Sequence, residues 1–191
     1  MGWIVWAVIG AFILLLLLWG VAIYNRLVRQ RALVREGFSG INVQLRRRAD
    51  LIPNLVSTVE GYATHERETL TQVIEHRGDA VAAKGVAATA QADNVFSAML
   101  GRLMAVAEAY PDLKANQNFQ QLQTELTEIE EHLQSARRYY NATVRDLNTS
   151  IQSFPNVLIA RPMGFAEEES YTDADASIQT APVVKFGAAK G

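Results

Sequence analysis

Three neighbouring guanidinium groups, Arg46-Arg47-Arg48, are the charges best placed to do something in this chain. Such a cluster can hold a phosphate or lipid headgroup, meet carboxylates on a partner, or bond the free carbonyls at a helix end. Consecutive helical positions differ by 100°, so the three fan over roughly 200° and cannot all meet one flat surface. Asp50, Pro53 and Asn54 follow immediately. Asp is a good N-cap, proline is tolerated in a first helical turn, and Pro53 biases Ile52 away from helical angles. The stretch therefore reads as a corner between two helices at Asp50–Pro53, a tight turn in preference to a kink. One arginine would bond carbonyls at the end of the first helix or pair with Asp50. Another would face a neighbouring subunit or protein.

The spacing opposes other chemistry. His65-Glu66 begins like a zinc-protease motif, but that motif needs a second His four residues on, where Thr69 stands. A di-iron bundle needs Glu three residues before His; Tyr62, Val73 and Ile129 precede His65, His76 and His132. No Gly-x-Ser-x-Gly elbow or phosphate-binding glycine loop occurs, and there is no cysteine. Glu125, Glu128, Glu130 and Glu131 read as the solvated face of a helix. The expectation is a non-enzyme with no catalytic residues, no metal and no cofactor.

The elements that carry these residues begin with an apolar run. Trp3 to Tyr24 is 22 residues without a charge. As a helix it spans about 33 Å, enough for a bilayer core. Trp3, Trp6, Trp19 and Tyr24 lie towards its ends, as interfacial aromatics do. The run exceeds a signal-peptide core and no basic residue precedes it, so it reads as an uncleaved anchor in contact with membrane lipid. Arg26, Arg29, Arg31 and Arg35 follow closely, so the positive-inside rule puts the N-terminus outside and the rest in the cytoplasm. Arg47 lies about 35 Å beyond Tyr24, far past the ~8 Å screening length, so the triplet should not feel the bilayer. Residues 51–191 carry 11 basic against 18 acidic side chains, which excludes a broad nucleic-acid-binding face.

Beyond the anchor the periodicity is helical throughout, and the fold class is all-α. Leu27, Val34, Phe38, Ile41 and Leu45 continue the first helix to about Ala49. A second runs from Leu55 towards Ala83, and a third through Val95, Met99, Leu103 and Val106 to Pro111. Ala80–Ala92 reads as a loop or weak helix end. Phe119, Leu122, Leu126, Ile129, Leu133, Ala136, Tyr140, Val144, Leu147 and Ile151 form a bundle or coiled-coil seam on a fourth helix of about 35 residues. Asn42, Gln44, Asn54 and Asn141 sit beside apolar stripes, where buried amides need partners. The expected domains are an anchor over 1–25, an antiparallel bundle over 26–165 and an acidic, disordered tail over 166–191. In an up-down bundle the 80–92 connection and the Phe154–Phe165 segment would both return towards the bilayer. Phe154, Leu158 and Phe165 are then candidate membrane-proximal contacts.

Several stretches resemble the LemA family. They are Tyr24-Asn25-Arg26-Leu27-Val28, Val43 through Val56, His65-Glu66-Arg67-Glu68-Thr69-Leu70, Ala136 through Asn141, and Ile151 through Ala160. The resemblance covers residues 20–165 in order. It departs at Pro162-Met163-Gly164-Phe165, where the family pattern has Leu-Phe-Gly-Phe. It implies a bacterial single-pass membrane protein with an antiparallel helical bundle and no established biochemical activity. One branch is associated with magnetosome membranes. Together with the long seams, this sets the functional expectation: a membrane-anchored scaffold working through assembly with itself or with other membrane proteins. The alternatives are an adaptor or regulator of a membrane protease or signalling complex, and a ligand-binding bundle.

Overall fold

A computed structural model describes residues 2–63 and 65–172. Its backbone is a single long strut with shorter helices folded back along it. α1 (Gly2–Glu60) is 59 residues, about 88 Å of continuous helix. α2 (Arg67–Ala82) returns along it, and α3 (Val86–Glu108) runs outward again. One turn, α4 (Pro111–Lys114), leads into α5 (Gln117–Gln152), whose start is capped by Asn116 accepting from the Phe119 amide at 3.1 Å. A second single turn, α6 (Val157–Ala160), and an extended strap to Thr172 complete the described residues.

From Gly2 to Ala22 nearly every side chain of α1 is exposed, although the stretch is apolar. A helix apolar all round and covered by nothing in its own chain has lipid as its natural surround. Burial begins at Ile23. From there α5 lies antiparallel on α1: the Gln30 amide donates to Ser150 Oγ at 2.9 Å, and Gly37 faces Tyr140. The heptad positions Phe119, Leu126, Leu133, Tyr140 and Leu147 of the expected seam are all buried.

The core divides into two clusters. The distal one, from Ile52 to Leu126, is enclosed by α1, α2, α3 and α5. The membrane-proximal one, from Ile23 to Leu45 on α1 and Leu133 to Ile151 on α5, is built chiefly from two long helices, with α3 adding only its first turns through Val86 and Ala90. Phe165 and Tyr171 complete it, so the strap fills the place of a third helix.

The Asp50–Pro53 corner is not there. α1 passes through Pro53 and ends at Glu60; the chain turns between Glu60 and Arg67. Proline lacks the amide that would bond the Ala49 carbonyl one turn back, which is why a break was expected. Arg77 of α2 repairs the defect. Its Nε donates to Ala49 O at 2.6 Å, and its Nη2 lies 3.8 Å from Asp50. Arg77→Met should cost about 1–3 kcal/mol, because Ala49 is fully buried and its carbonyl would be orphaned. In a Pro53→Ala background the new amide serves that carbonyl, and the same change should cost at least ~1 kcal/mol less. Denaturant titration of the four variants measures that coupling; additive effects would mean Arg77 does not serve the carbonyl.

The 80–92 connection also differs from expectation. Its alanines are helical, ending α2 and beginning α3, and only Ala83–Gly85 links them. Gly85 adopts φ +84°, which a side chain would strain. α2 is 16 residues, about 24 Å, so this link meets α1 near Phe38, Leu45 and Arg46, roughly 30 Å above Tyr24, and not at the bilayer.

Candidate functional site

Between the two core clusters lies a polar layer. Arg48 of α1 points inward at 2% exposure, while Arg46 and Arg47 point out. The 100° step predicted that the triplet would split, and α3 and α5 supply what the inward member needs. Arg48 donates through Nη2 to Asp93 Oδ1, and through Nη1 to Glu130 Oε2 at 3.0 Å and Ser97 Oγ at 3.1 Å. Its guanidinium lies over the Phe96 ring at 5.1 Å.

Asp93 is fully buried and serves three donors from three parts of the chain. Arg137 of α5 donates through Nη2 to Oδ2, and its Nη1 lies 3.8 Å from Glu130. The Tyr171 hydroxyl donates to the same Oδ2 at 2.6 Å, with the Arg137 guanidinium 5.5 Å from the Tyr171 ring centre. Two guanidiniums thus meet two carboxylates, and the formal charges cancel. Burial pushes the Tyr171 phenol well above its usual range, reinforced by the Asp93 charge and hydrogen bond, so it remains a neutral donor. α3 packs its backbone chiefly on α2; the arginine side chains tie it to α1 and α5 beside the apolar contacts of Phe96 and Leu103 in the distal cluster.

The strap is fixed by two asparagines. Asn141 donates to Tyr171 O at 3.0 Å and accepts from Tyr171 N at 2.8 Å. Asn148 does the same with Glu168, at 2.9 Å both ways. Seven helical residues rise about 10.5 Å, and three extended residues reach about 10 Å, so the two pairings keep register. A carboxamide presents the donor and acceptor that a backbone edge requires. Tyr140 adds a hydrogen bond to Glu169 O at 2.6 Å. Its phenol is pushed up to about 12 by burial, then by Glu168 and Glu169. Glu167–Tyr171 of the expected disordered tail therefore dock on α5, while residues 173–191 lie outside the described residues.

The other candidate residues are dispersed. Asp50, Pro53 and Asn54 are exposed on the outer side of α1 near Arg46 and Arg47. Phe154 and Leu158 are exposed at the membrane end, whereas Phe165 is buried with its ring 5.7 Å from that of Tyr24. Sequence reasoning missed Asp93, Arg137 and Tyr171, and it assigned Glu130 to solvent. Glu130 is half-exposed but turns its carboxylate to both arginines. Among the described residues no group of His, Cys, Asp and Glu is arranged to hold a metal ion. Asp93 has its oxygens occupied by protein donors, so the layer is built to join helices.

An apolar helix long enough to cross a bilayer, continuous with an α-helical bundle locked by an internal ion network, defines a membrane-associated all-α protein. The LemA family profile matches residues 37–186, and the chain belongs to the LemA family. It is 27% identical to magnetosome protein MamQ 2 of Paramagnetospirillum magneticum and to magnetosome protein MamQ of Magnetospirillum gryphiswaldense, in each case over 80% of this chain and 66% of the relative. It is 26% identical to protein LemA of Metamycoplasma hominis, over 73% of this chain and 64% of that protein. The chain thus spans slightly under two thirds of the length of these relatives.

Proposed function

We propose that the protein is a single-pass, membrane-anchored scaffold that acts through protein–protein assembly, with copies of itself or with other membrane proteins. The observation that carries this reading is the continuity of α1: one helix is both the apolar anchor and the longest strut of the bundle. Any contact made on the outer face of α1 is therefore held at a fixed distance along one helix from the anchor. Arg46 and Arg47 stand on that face beside Val43, Asp50 and Asn54, free of the inward role that Arg48 takes. Arg26, Arg29, Arg31 and Arg35 at the anchor's end favour a cytoplasmic bundle with the N-terminus outside. The relatives named as magnetosome proteins support a setting at a membrane-bounded structure.

Purification of the full chain in mild detergent or lipid nanodiscs, followed by mass measurement, tests this. A uniform oligomer is expected, dissociated by Arg46→Glu/Arg47→Glu with the unfolding temperature unchanged. A single stoichiometric partner on a monomer would favour the adaptor reading instead. A monomer that captures nothing, with a small molecule retained, would overturn assembly in favour of a ligand-binding bundle.

A further inference from the structure

The membrane end of the bundle carries a second apolar element besides the anchor. Phe154, Leu158 and Met163 are 81%, 65% and 62% exposed; Leu158 lies in the single turn of α6, and the other two flank it. Residues 153–165 contain no carboxylate and one cation, Arg161, which is also exposed. Their position is set by two contacts with α1. The Ile159 side chain comes to van der Waals distance of Gly20, where a Cβ would stand 3.7 Å from it. The Phe165 ring packs edge-on against Tyr24.

Gly20 lies inside the uncharged Trp3–Tyr24 run, four residues or about 6 Å short of its end. The polar zone on each side of a bilayer core is about 5–7 Å thick. With the end of the run at the core boundary, Gly20 lies in the edge of the hydrocarbon, so a segment whose Ile159 side chain touches it sits where the core meets that zone. α5 ends at Gln152, one residue after its last buried residue Ile151, and residues 153–156 carry the chain down to α6. Arg26 and Arg29 follow about 9 and 14 Å above Gly20 on α1 and are exposed, as is Arg161, which suits acidic headgroups.

We propose that the Phe154–Met163 turn is a second membrane contact, seated in the interfacial zone of the bilayer that α1 crosses. The anchor alone leaves the bundle free to lean; a foot beside it fixes the lean and the rotation about the anchor. Phe165, expected to face lipid, instead braces the foot against Tyr24. The proposal rests on α1 being the membrane span, and the experiment separates the two.

The chain has no cysteine, so single cysteines at Phe154, Leu158 and Met163 can each carry a nitroxide in the full-length protein. With phosphatidylcholine–phosphatidylglycerol bilayers, accessibility to oxygen is compared with that to a water-soluble nickel chelate. Leu15 in the span and Ile74 on the distal bundle serve as references. The expected result is an oxygen-to-nickel ratio several-fold above that of Ile74 at all three positions, approaching Leu15 at Leu158. Water-like ratios at the three with a lipid-like Leu15 would overturn the foot alone. A water-like Leu15 would overturn the span, and the foot with it. Spin–spin broadening at Leu158 that vanishes on dilution with unlabelled protein would show a second copy on the turn and overturn lipid as its occupant.

Discussion

Asp93→Ala lowers the stability of the bundle by about 3–5 kcal/mol, the cost of stranding buried charge. Arg48 and Arg137 would lose their shared buried carboxylate while the half-exposed Glu130 remains, and the Tyr171 hydroxyl would lose its acceptor. Equilibrium denaturation in detergent, followed by helical circular dichroism, gives the loss. Amide exchange should rise over the strap residues Glu168–Tyr171, since Tyr171 is released with the arginines. The triple replacement Arg48→Met/Asp93→Leu/Arg137→Met should recover most of that stability, because matched apolar side chains avoid the desolvation that buried ions carry. A loss under ~1 kcal/mol for Asp93→Ala would mean that water replaces the carboxylate and that the layer does not join the helices.

Gly37→Val lowers stability by about 1–3 kcal/mol through overpacking. Even a Cβ at this position would stand 3.1 Å from the Tyr140 Cα and 3.4 Å from the Tyr139 ring. The facing atom is backbone, so α5 must move as a body, and it is tied to α1 on both sides of this level. Gly40 offers the contrast. Nothing lies within 4 Å of where its Cβ would be, so Gly40→Ala should stabilise by up to about 1 kcal/mol from helix propensity alone. Thermal unfolding of the two variants beside the parent protein checks the opposite signs. Equal effects would mean that both glycines are merely helix-weakening.

The ends of the chain's logic were legible and the middle was not. Apolar composition marked the anchor, and a strict heptad marked α5. The corner misled because local rules rank Asp-x-x-Pro as a helix start, and the arginine that satisfies the Ala49 carbonyl lies 28 residues further on. The polar layer did leave a trace. Arg48 continues the stripe Ile41, Leu45, Arg48, Ile52; Arg137 falls between Leu133 and Tyr140; Asp93 stands in line with Ala90 and Phe96. Each is a charge at a core position of its own helix. A single such charge points nowhere, but two cations and an anion on three buried stripes point to one another, with Glu130 at the rim balancing the second cation. Ending the first helix at Ala49 hid the pattern, because it removed Ile52 from the Arg48 stripe. Asn141 was singled out as a buried amide, but its partner Tyr171 belongs to a segment whose acidity suggested disorder. Asn148, seven residues on, went unremarked for the same reason.

The strap runs antiparallel to α5, and this sets how far from the lipid surface its last described residue stands. At Phe165 the chain is still beside Tyr24, at the headgroups. From there it climbs beside α5 to the level where Gly37 faces Tyr140, and Thr172 stands there. Counted along α1, that position is about 20 Å above the end of the anchor. Loosening the two asparagine clamps, Asn141 and Asn148, would release that position from its fixed height above the lipid surface.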